Sequence, residues 1–346
     1  MKAIVFYRHG GLDVLQAADI PAPVPGPNEV LVKVHYCALN RLDLFVREGW
    51  KGLELKMPHV LGADVAGTVA AVGPQVSGWQ VGQRVVVDGT LSCGRCEHCR
   101  RGDDHLCLHH AILGEHAPGG YAEYVSVPAA NLLAVPDGFP LAEAAAAGLV
   151  FLTAWRMLIR RAQVRAGEDV LVVGAGGGVN TAAVQIAKLA GARVFVVASN
   201  AEKGERARAL GADVVIDRSR ENWSRAVWQQ TDRRGVDVVV DNVGAATFFD
   251  SIRALAKGGR LVTVGNTSGP KAELDLRYIW TKQISILGST MGSRDDFATV
   301  MPLVFAGKLR AVIDRILPLA QAREAQAILE RGENFGKIVL QVNEDD

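Results

Sequence analysis

Four of the five cysteines lie within one short stretch of the chain. They follow the spacing C-x2-C-x2-C-x7-C, at Cys93, Cys96, Cys99 and Cys107. Four thiolates this close together can complete a tetrahedral shell around zinc, and a complete shell leaves no position for a substrate. An iron–sulfur cluster is the competing metal centre, and disulfides are disfavoured where reduced thiols are expected. The spacing predicts one structural zinc that organises a lobe over about residues 88–110.

A glycine-rich turn is the second chemical signal, with the sequence Gly174-Ala175-Gly176-Gly177-Gly178-Val179-Asn180. It follows an apolar run at 169–173 and precedes a helical stretch that starts near Thr181 and reaches about Leu189. Glycines let the backbone approach a pyrophosphate, and a helix N-terminus offers free N–H groups to it. The predicted dinucleotide ligands are Gly174, Gly176, Gly177, Gly178 and Val179. Asn180 departs from the pattern, because a glycine there would ease packing of the helix on the strand.

Residues that follow the next strands indicate which dinucleotide binds. An NAD-selective site usually has an acidic residue after its second strand. Here that strand ends at Ala198, and no acid precedes Glu202. Polar and basic residues predict instead a preference for NADP(H) over NAD(H), with Ser199, Asn200, Lys203 and Arg218 as ligands; alternatively, the two basic residues are solvated surface charges. Asn242 and Gly265, which follow later strands, complete the predicted cofactor set.

Two patterns of secondary structure position these residues. Before residue 150, short β-rich runs alternate with glycine and proline turns, which is typical of a β-barrel. From residue 169 onward, wholly apolar strands alternate with helices, which indicates a parallel sheet covered on both faces. A helix at 295–306 and a strand at 337–342 lack that rhythm, and we expect them to pack back on the first domain.

These features together resemble the medium-chain dehydrogenase/reductase superfamily over nearly the whole chain. The matching motifs, in order, are Pro21-x-Pro23-x-Pro25-Gly26-Pro27-x-Glu29-Val30-Leu31-Val32, Leu61-Gly62-Ala63-Asp64-x-x-Gly67, Gly82-x-Arg84-Val85, the cysteine lobe, Gly119-Gly120-Tyr121-Ala122-Glu123-Tyr124-Val125 and the glycine turn. The resemblance implies an α/β protein with a GroES-like β-barrel substrate domain at 1–150 and a doubly wound parallel-sheet Rossmann domain at 151–289. Residues 290–346 would return to the substrate domain.

The catalytic zinc of the zinc alcohol dehydrogenases in this superfamily does not carry over to this sequence. Asn40 stands where those enzymes have a cysteine ligand, and Ala63 stands where they have a histidine. Their third ligand precedes the Rossmann domain, where residues 144–148 here include no cysteine, histidine or acid. A zinc site without any of its usual ligands is not expected. Cys37 lies shortly before Asn40, and we interpret it as a buried structural thiol.

The Asn40-x-x-Asp43 pattern instead resembles the zinc-free quinone oxidoreductases, in which the nicotinamide carries the chemistry. The resemblance implies catalytic roles for Asn40, Asp43 and Asp64. Asn40 would hydrogen-bond the substrate carbonyl or the cofactor carboxamide. Asp43 would position a proton source, or alternatively pair with Arg41 or Arg47. Asp64 would be a remnant of the lost metal site or one half of a local ion pair.

The leading functional hypothesis is an NAD(P)H-dependent oxidoreductase that transfers hydride to a quinone, or to an activated alkene or carbonyl, without catalytic zinc. One alternative is a zinc-type alcohol or aldehyde dehydrogenase. Another, of a different class, is a noncatalytic cofactor-binding protein. His59 and His116 are the histidine candidates for a proton relay, with ordinary loop histidines as the alternative.

Composition and charge argue against other partners. The net charge is +1, from 38 basic and 37 acidic residues, so there is no electrostatic case for nucleic acid or an anionic membrane. The longest apolar run, at 144–155, is short for a bilayer, and residues 1–8 lack a signal-peptide core. We therefore expect a cytoplasmic protein that acts on a small molecule. The run at 284–289 is similar to the edge strand through which superfamily members join sheets, and it predicts a homodimer or homotetramer.

Overall fold

The computed structural model describes residues 1–344, which fold as two compact units. Met1–Leu149 and the segment that starts at Gly292 form the first unit, and Val150–Met291 forms the second. The predicted domain boundaries, after residues 150 and 289, lie close to these limits.

The strands and helices are numbered in chain order. The strands are β1 (Lys2–Phe6), β2 (Gln16–Asp19), β3 (Glu29–Ala38), β4 (His59–Val60), β5 (Asp64–Val72), β6 (Arg84–Val87), β7 (Thr90–Leu91), β8 (Ala111–Ile112), β9 (Tyr124–Pro128), β10 (Leu132–Ala134), β11 (Asp169–Val173), β12 (Arg193–Ala198), β13 (Val214–Asp217), β14 (Val236–Asp241), β15 (Leu255–Thr263), β16 (Ser285–Gly288), β17 (Ile313–Pro318) and β18 (Lys337–Gln341). The helices are α1 (Arg41–Glu48), α2 (Glu97–Arg100), α3 (Leu141–Trp155), α4 (Gly178–Leu189), α5 (Ala201–Ala209), α6 (Trp223–Gln230), α7 (Phe248–Ala254), α8 (Leu276–Lys282), α9 (Arg294–Phe305) and α10 (Ala322–Arg331).

A seven-stranded sheet forms the main body of the first unit. Its order is β10-β6-β5-β3-β18-β17, and β9 also pairs with β3. The central strand β3 is antiparallel to β5, β9 and β18, and its alternate valines are fully buried. In the pairing of β18 with β3, Val339 lies opposite Ala38. This register brings the first residues of β18 beside the chain that leaves β3.

The second unit contains a six-stranded, wholly parallel sheet in the order β13-β12-β11-β14-β15-β16. Strands β11, β12 and β14 consist mostly of buried apolar residues, as expected for a sheet covered on both faces. The order reverses between β11 and β14, and ligands of open parallel sheets bind at the carboxyl ends of strands beside such a reversal. The predicted fold class is confirmed.

Helix α3 contains the apolar run at 144–155 and is longer than that run. It continues into a π-helical segment, Arg156–Arg161. The combined helix, Leu141–Arg161, has 21 residues, and an apolar 18-residue stretch within it has a mean hydropathy of 1.4. By length and composition alone that helix could cross a membrane, but 72% of its apolar 18-residue stretch is buried inside the protein. The core helix of a globular protein passes the same test, and the burial favours that interpretation.

Candidate active site and metal centre

The glycine turn connects β11 to α4 in the second unit. Gly174 has φ +103°, in the left-handed region that favours glycine, and a Cβ there would lie 2.8 Å from Nδ2 of Asn180. In the chain up to residue 344, the N–H groups of Ala175, Gly176 and Gly177 donate no hydrogen bond. These groups lie at the positive end of the α4 dipole. Unengaged N–H donors at a helix N-terminus fit the pyrophosphate of a dinucleotide.

Asn180 binds the end of β11 with its side chain. Helix α4 begins at Gly178 rather than near Thr181, so Asn180 lies in its first turn. Its Nδ2 donates to the carbonyl oxygens of Val173 at 3.0 Å and Gly174 at 2.9 Å. Asn180, which stands where a glycine was expected, is therefore accommodated because its side chain hydrogen-bonds the end of β11.

The other predicted cofactor residues lie at the carboxyl edge of the same parallel sheet. They follow successive strands or begin the next helix: Ser199 and Asn200 after β12, Lys203 in the first turn of α5, Arg218 after β13, Asn242 after β14 and Gly265 after β15. The side chain of Asn200 caps α5 by accepting the N–H of Lys203 at 2.9 Å. The structure thus brings the whole predicted set to one edge of one sheet.

Arg218 lies directly beside the end of β12. Its backbone N–H donates to the carbonyl of Ala198 at 3.0 Å, and Asp217 lies opposite Ala198 in the sheet. Asp217 does not pair with Arg218, because it accepts hydrogen bonds from Ser219 and lies 3.4 Å from the guanidinium of Arg220. The side chain of Arg218 is exposed and forms no ion pair in the described chain.

The four predicted metal ligands converge on one point in the first unit. Their Sγ atoms all lie within 4.8 Å of one another: Cys93, Cys96, Cys99 and Cys107. The sulfur of Cys96 is 3.4 Å from that of Cys99 and 3.9 Å from that of Cys107. The sulfurs of a tetrahedral zinc–thiolate site are about 3.8 Å apart. The four sulfurs therefore fit one zinc ion with a closed coordination shell.

The cysteine lobe is also attached to helix α9. The carboxylate of Asp104 accepts the backbone N–H and Nε of Arg294, at 3.2 and 3.1 Å. Nη2 of Arg294 donates to the hydroxyl of Ser92 at 2.9 Å. Charge-assisted hydrogen bonds thus tie both ends of the lobe to the C-terminal segment of the same unit.

The three predicted catalytic residues form one buried cluster in the first unit. Asn40 is the N-cap of α1, Asp43 lies in its first turn and Asp64 begins β5. Nδ2 of Asn40 donates to Oδ2 of Asp64 at 2.8 Å. The backbone N–H of Asn40 donates to Oδ2 of Asp43 at 2.7 Å. Asn40 is therefore bonded to both carboxylates.

Lys337 is the fourth member of this cluster, and the sequence patterns do not single it out. Its Nζ donates to Oδ1 of Asn40 at 2.5 Å and to Oδ2 of Asp64 at 2.8 Å, and its side chain is only 4% exposed. Oδ1 of Asp64 accepts the N–H of Leu149 at 2.6 Å. Asp64 is thus one half of a local ion pair. A signal that could have identified Lys337 from the sequence is its place at the start of an apolar strand. A lysine buried there requires an anionic partner for its ammonium.

These contacts determine the orientation of the Asn40 amide. An ammonium can only donate, and an ionised carboxylate can only accept. Oδ1 of Asn40 must therefore face Lys337, and Nδ2 must face Asp64. One N–H of that Nδ2 has no acceptor in residues 1–344.

Asp43 joins two backbone segments and does not pair with an arginine. Its Oδ2 accepts from Asn40, and its Oδ1 accepts the N–H of Gly62 at 3.1 Å. Arg47 pairs with carboxylates of α1 and α10, and within the described residues neither Arg41 nor Arg47 pairs with Asp43. The alternative in which Asp43 is an arginine partner is wrong. Burial raises the pKa of the Asp43 carboxyl to about 6, against the opposing effects of the Asn40 N–H donor and the Lys337 ammonium.

The remaining positions of the family's zinc site hold other contacts. Ala63 is buried, and residues 144–148 lie within α3, where a Cβ on Gly148 would be 2.7 Å from Oδ1 of Asp64. Cys37 is fully buried, and burial raises the pKa of its thiol well above the usual value. These features fit the interpretation of Cys37 as a structural thiol.

His59 and His116 have local partners instead of places in the Asn40 cluster. Nε2 of His59 donates to the carbonyl of Gly114 at 3.1 Å, and burial lowers the pKa of this imidazole. Nδ1 of His116 accepts the N–H of Ile112 at 3.2 Å. In the part of the chain that is described, neither histidine is hydrogen-bonded to Asn40. His116 fits the alternative of an ordinary loop histidine, whereas His59 is a buried histidine of strand β4.

Comparison with known proteins places this chain among oxidoreductases. Residues 26–137 match the alcohol dehydrogenase GroES-like domain, and residues 178–306 match the zinc-binding dehydrogenase domain. The acryloyl-coenzyme A reductase of Metallosphaera sedula is 34% identical over 98% of this chain and 99% of its own length. The quinone oxidoreductase of Sus scrofa is 32% identical over 98% of this chain and 97% of its own. A crystal structure of an NAD-dependent alcohol dehydrogenase superposes with a TM-score of 0.96 and 48% identity, covering 99% of this chain and 100% of that one.

The chain belongs to the medium-chain dehydrogenase/reductase superfamily. Within it, the chain is an NAD(P)-dependent oxidoreductase, as predicted, because relatives aligned over nearly their whole length are oxidoreductases. The alternative of a noncatalytic cofactor-binding protein is therefore not supported. Medium-chain relatives of similar identity have different substrates, so the likeness identifies the superfamily and leaves the acceptor open.

Proposed function

We propose that this enzyme reduces an activated carbon–carbon double bond or a quinone by hydride transfer from a nicotinamide cofactor, without a catalytic zinc. The observation that carries the proposal is the orientation of the Asn40 amide. Lys337 and Asp64 hold it so that one buried N–H donor remains unused. Such a donor suits the carbonyl oxygen of a conjugated substrate.

The chemistry follows from where negative charge develops. When bound, the nicotinamide supplies the hydride. The acceptor's carbonyl oxygen takes the free N–H of Asn40, and that hydrogen bond strengthens as hydride addition places negative charge on the oxygen. Lys337 and Asp64 act through Asn40, because they keep its N–H rather than its carbonyl toward the substrate. A proton from water then completes the two-electron reduction.

The side chains at and beside the positions of the family's zinc ligands support a metal-free reaction. Zinc is held by thiolate, imidazole or carboxylate groups. Asn40 offers an amide already bound to Lys337, Ala63 offers no ligand atom, and both oxygens of Asp64 accept hydrogen bonds. A metal at this place would first have to displace the ammonium.

One alternative has a specific observation in its favour. The 48% identity to an NAD-dependent alcohol dehydrogenase favours interconversion of an alcohol and a carbonyl compound. A panel of quinones, enones and alcohols, assayed with NADPH and NADH beside metal analysis, separates the two functions. We expect turnover of enones or quinones with one zinc per chain. Alcohol turnover with about two zinc ions per chain would overturn the proposal.

Asn40→Ala tests the amide directly. We expect kcat on the best acceptor to fall by roughly a hundredfold, because one oxyanion donor is lost, while the Kd of NADPH stays within about twofold. Asn343→Ala is the matched control, since it removes an asparagine of the same unit whose Nδ2 donates to the carbonyl of Val34 at 2.7 Å. An unchanged kcat in Asn40→Ala, or an equal loss in the control, would contradict the role given to Asn40.

We also propose that NADPH binds more tightly than NADH. Ala198 offers no carboxylate to the ribose and none to repel a 2′-phosphate. Arg218 emerges beside Ala198 with an exposed guanidinium, and Asp217 is occupied by Ser219 and Arg220. Guanidinium groups bind phosphate through paired, charge-assisted hydrogen bonds.

We further propose a cytoplasmic homodimer or homotetramer. Strand β16 is an edge of the parallel sheet, with Ile286 39% exposed. Leu276 and Trp280 of α8 are 66% and 68% exposed. A second copy of the chain that pairs along β16 would cover an edge that otherwise invites aggregation.

A further inference from the structure

Two asparagine amides connect the glycine turn to the end of β14. Nδ2 of Asn180 donates to the carbonyls of Val173 and Gly174, while its Oδ1 accepts from Nδ2 of Asn242 at 2.9 Å. Asn180 is 7% exposed, so this connection lies inside the second unit. The two amides therefore form a continuous chain of hydrogen bonds from the turn to the neighbouring strand.

Hydrogen-bond chemistry determines the orientation of both amides. Backbone carbonyls only accept, so Asn180 must turn its Nδ2 to the turn and its Oδ1 to Asn242. Asn242 must then use Nδ2 toward Asn180, which leaves its Oδ1 on the other side. That oxygen is buried and accepts no hydrogen bond from any residue up to 344. A buried acceptor without a donor is costly, which indicates that a ligand supplies the donor.

We propose that Asn180 and Asn242 act as a relay that presents one hydrogen-bond acceptor to the nicotinamide nucleoside of the cofactor. Asn242 follows β14, beside the reversal of strand order at which a dinucleotide binds. The pyrophosphate has no donor to offer this oxygen, and the adenosine half belongs at the end of β12. The donors that remain are the ribose hydroxyls and the carboxamide of the nicotinamide half. Asn242 contacts the cofactor, and Asn180 is a positioning residue.

The relay is independent of the acceptor substrate, so its test needs no turnover. Calorimetric titration of Asn242→Ala should give Kd values for NADPH and NADH that are roughly three- to tenfold higher than in the wild type, as for one lost hydrogen bond. The Kd of ADP, which lacks the nicotinamide nucleoside, should not change. ADP-ribose separates the two donors, because it keeps the ribose but lacks the nicotinamide. Its Kd should rise with those of the dinucleotides if Asn242 binds a ribose hydroxyl, and should stay unchanged if Asn242 binds the carboxamide. Unchanged NADPH binding, or an equal change for ADP, would overturn the relay.

Asn180→Gly tests the positioning role. It should weaken NADPH binding by the same factor as Asn242→Ala, and the double variant should be no weaker than the single Asn242→Ala variant. Fully additive losses would overturn the relay. Asn222→Ala is the matched control, because this asparagine caps α6 in the same unit by accepting the N–H of Arg225 at 3.0 Å. The Asn222→Ala variant should have a lower Tm but the same Kd for each ligand as the wild type. A loss of cofactor affinity in this control equal to that of Asn242→Ala would also overturn the proposal.

Discussion

At the scale of single residues, the charged groups on which the proposed function depends lie in two opposite environments. Lys337 and Asp64 are buried as a pair, and the amide of Asn40 completes their hydrogen bonding. A buried charge that loses its partner is destabilising by several kcal/mol, so each member of this cluster constrains the others. Arg218 shows the opposite condition, because its guanidinium is exposed and available to an anion.

Arg218→Ala should abolish the proposed preference for NADPH over NADH. The charge-assisted hydrogen bonds that a 2′-phosphate gains from the guanidinium correspond to roughly ten- to a hundredfold in affinity. Titrations of wild type and variant with both dinucleotides measure the ratio. Arg220→Ala is the control, since this arginine pairs with Asp217 and should not change the ratio. Equal binding of NADH by the wild type, or an unchanged ratio in Arg218→Ala, would show that the ribose pocket works differently.

Asp88→Asn should stabilise the protein at alkaline pH. Asp88 accepts the N–H of Thr90 at 2.9 Å, its other oxygen has no partner within residues 1–344, and burial raises its pKa to about 7. Since this pKa is raised on folding, the stability contributed by the protonated carboxyl is complete below about pH 4 and is lost as pH rises through about 7. The asparagine keeps the acceptor and removes the charge.

Thermal unfolding across pH provides the measurement for Asp88→Asn. The gain in stability should be at most about 4 kcal/mol near pH 8 and should shrink steadily toward pH 5.5. Asp137→Asn changes an exposed carboxyl of the same unit and should have no such pH dependence. A gain that is the same at both pH values would mean that the buried charge is not the cause.

At the scale of elements, the cysteine lobe and the glycine turn are formed mainly by residues that are close together in the sequence. The lobe has little apolar core of its own, and the four sulfurs supply its centre. The anchor from Arg294 to Asp104 holds it to α9. The glycine turn is held to the neighbouring strands by two contacts: the N–H of Gly174 donates to the carbonyl of Val197 in β12, and Asn180 accepts from Asn242 after β14.

Cys96→Ser should release the zinc and disorder the lobe. Three thiolates cannot close the tetrahedral shell, so zinc content should fall from about one per chain to near zero, with a lower Tm and an unchanged Kd for NADPH. Metal analysis with thermal unfolding and cofactor titration measures all three effects. Cys37→Ala is the control, because it removes a buried thiol outside the lobe and should keep the zinc. A wild type with near two zinc ions per chain, or a variant that retains its zinc, would contradict this assignment.

At the scale of the whole molecule, the proposed homo-oligomer would assemble through the exposed edge strand β16. Ile286→Lys places a charge on β16 and should convert the oligomer to a monomer, because burying that charge at a strand–strand interface is unfavourable. Light scattering of wild type and variant measures the change. Ile316→Lys is the matched control, since Ile316 is 45% exposed on β17, the edge strand of the sheet in the first unit. A monomeric wild type at working concentration would refute the prediction.

Sequence patterns predicted the elements that are built on unbroken apolar runs better than the others. The apolar runs at 169–173 and 284–289 and the helical stretch from Thr181 to Leu189 agree with β11, β16 and α4 to within three residues at each end. β17 and α10 were not predicted. Helix α10 was missed although its buried residues Ala325, Ile328 and Leu329 recur at helical spacing, so the sequence does carry a signal for it. β17 is a mostly exposed edge strand with charged residues at its centre, which gives no apolar run.

The sequence by itself determined the metal lobe, the glycine turn and the absence of the family's zinc ligands. Each of these depends on residue types at short spacing, and the chemistry of thiolates or glycine at that spacing requires no knowledge of the fold. Only the tertiary structure decided the partner of Asn40. Lys337 is separated from Asn40 by 297 positions, and the pairing of β18 with β3 brings the two together. No local pattern encodes such a contact, because the register of two distant strands is set by the packing of the whole sheet.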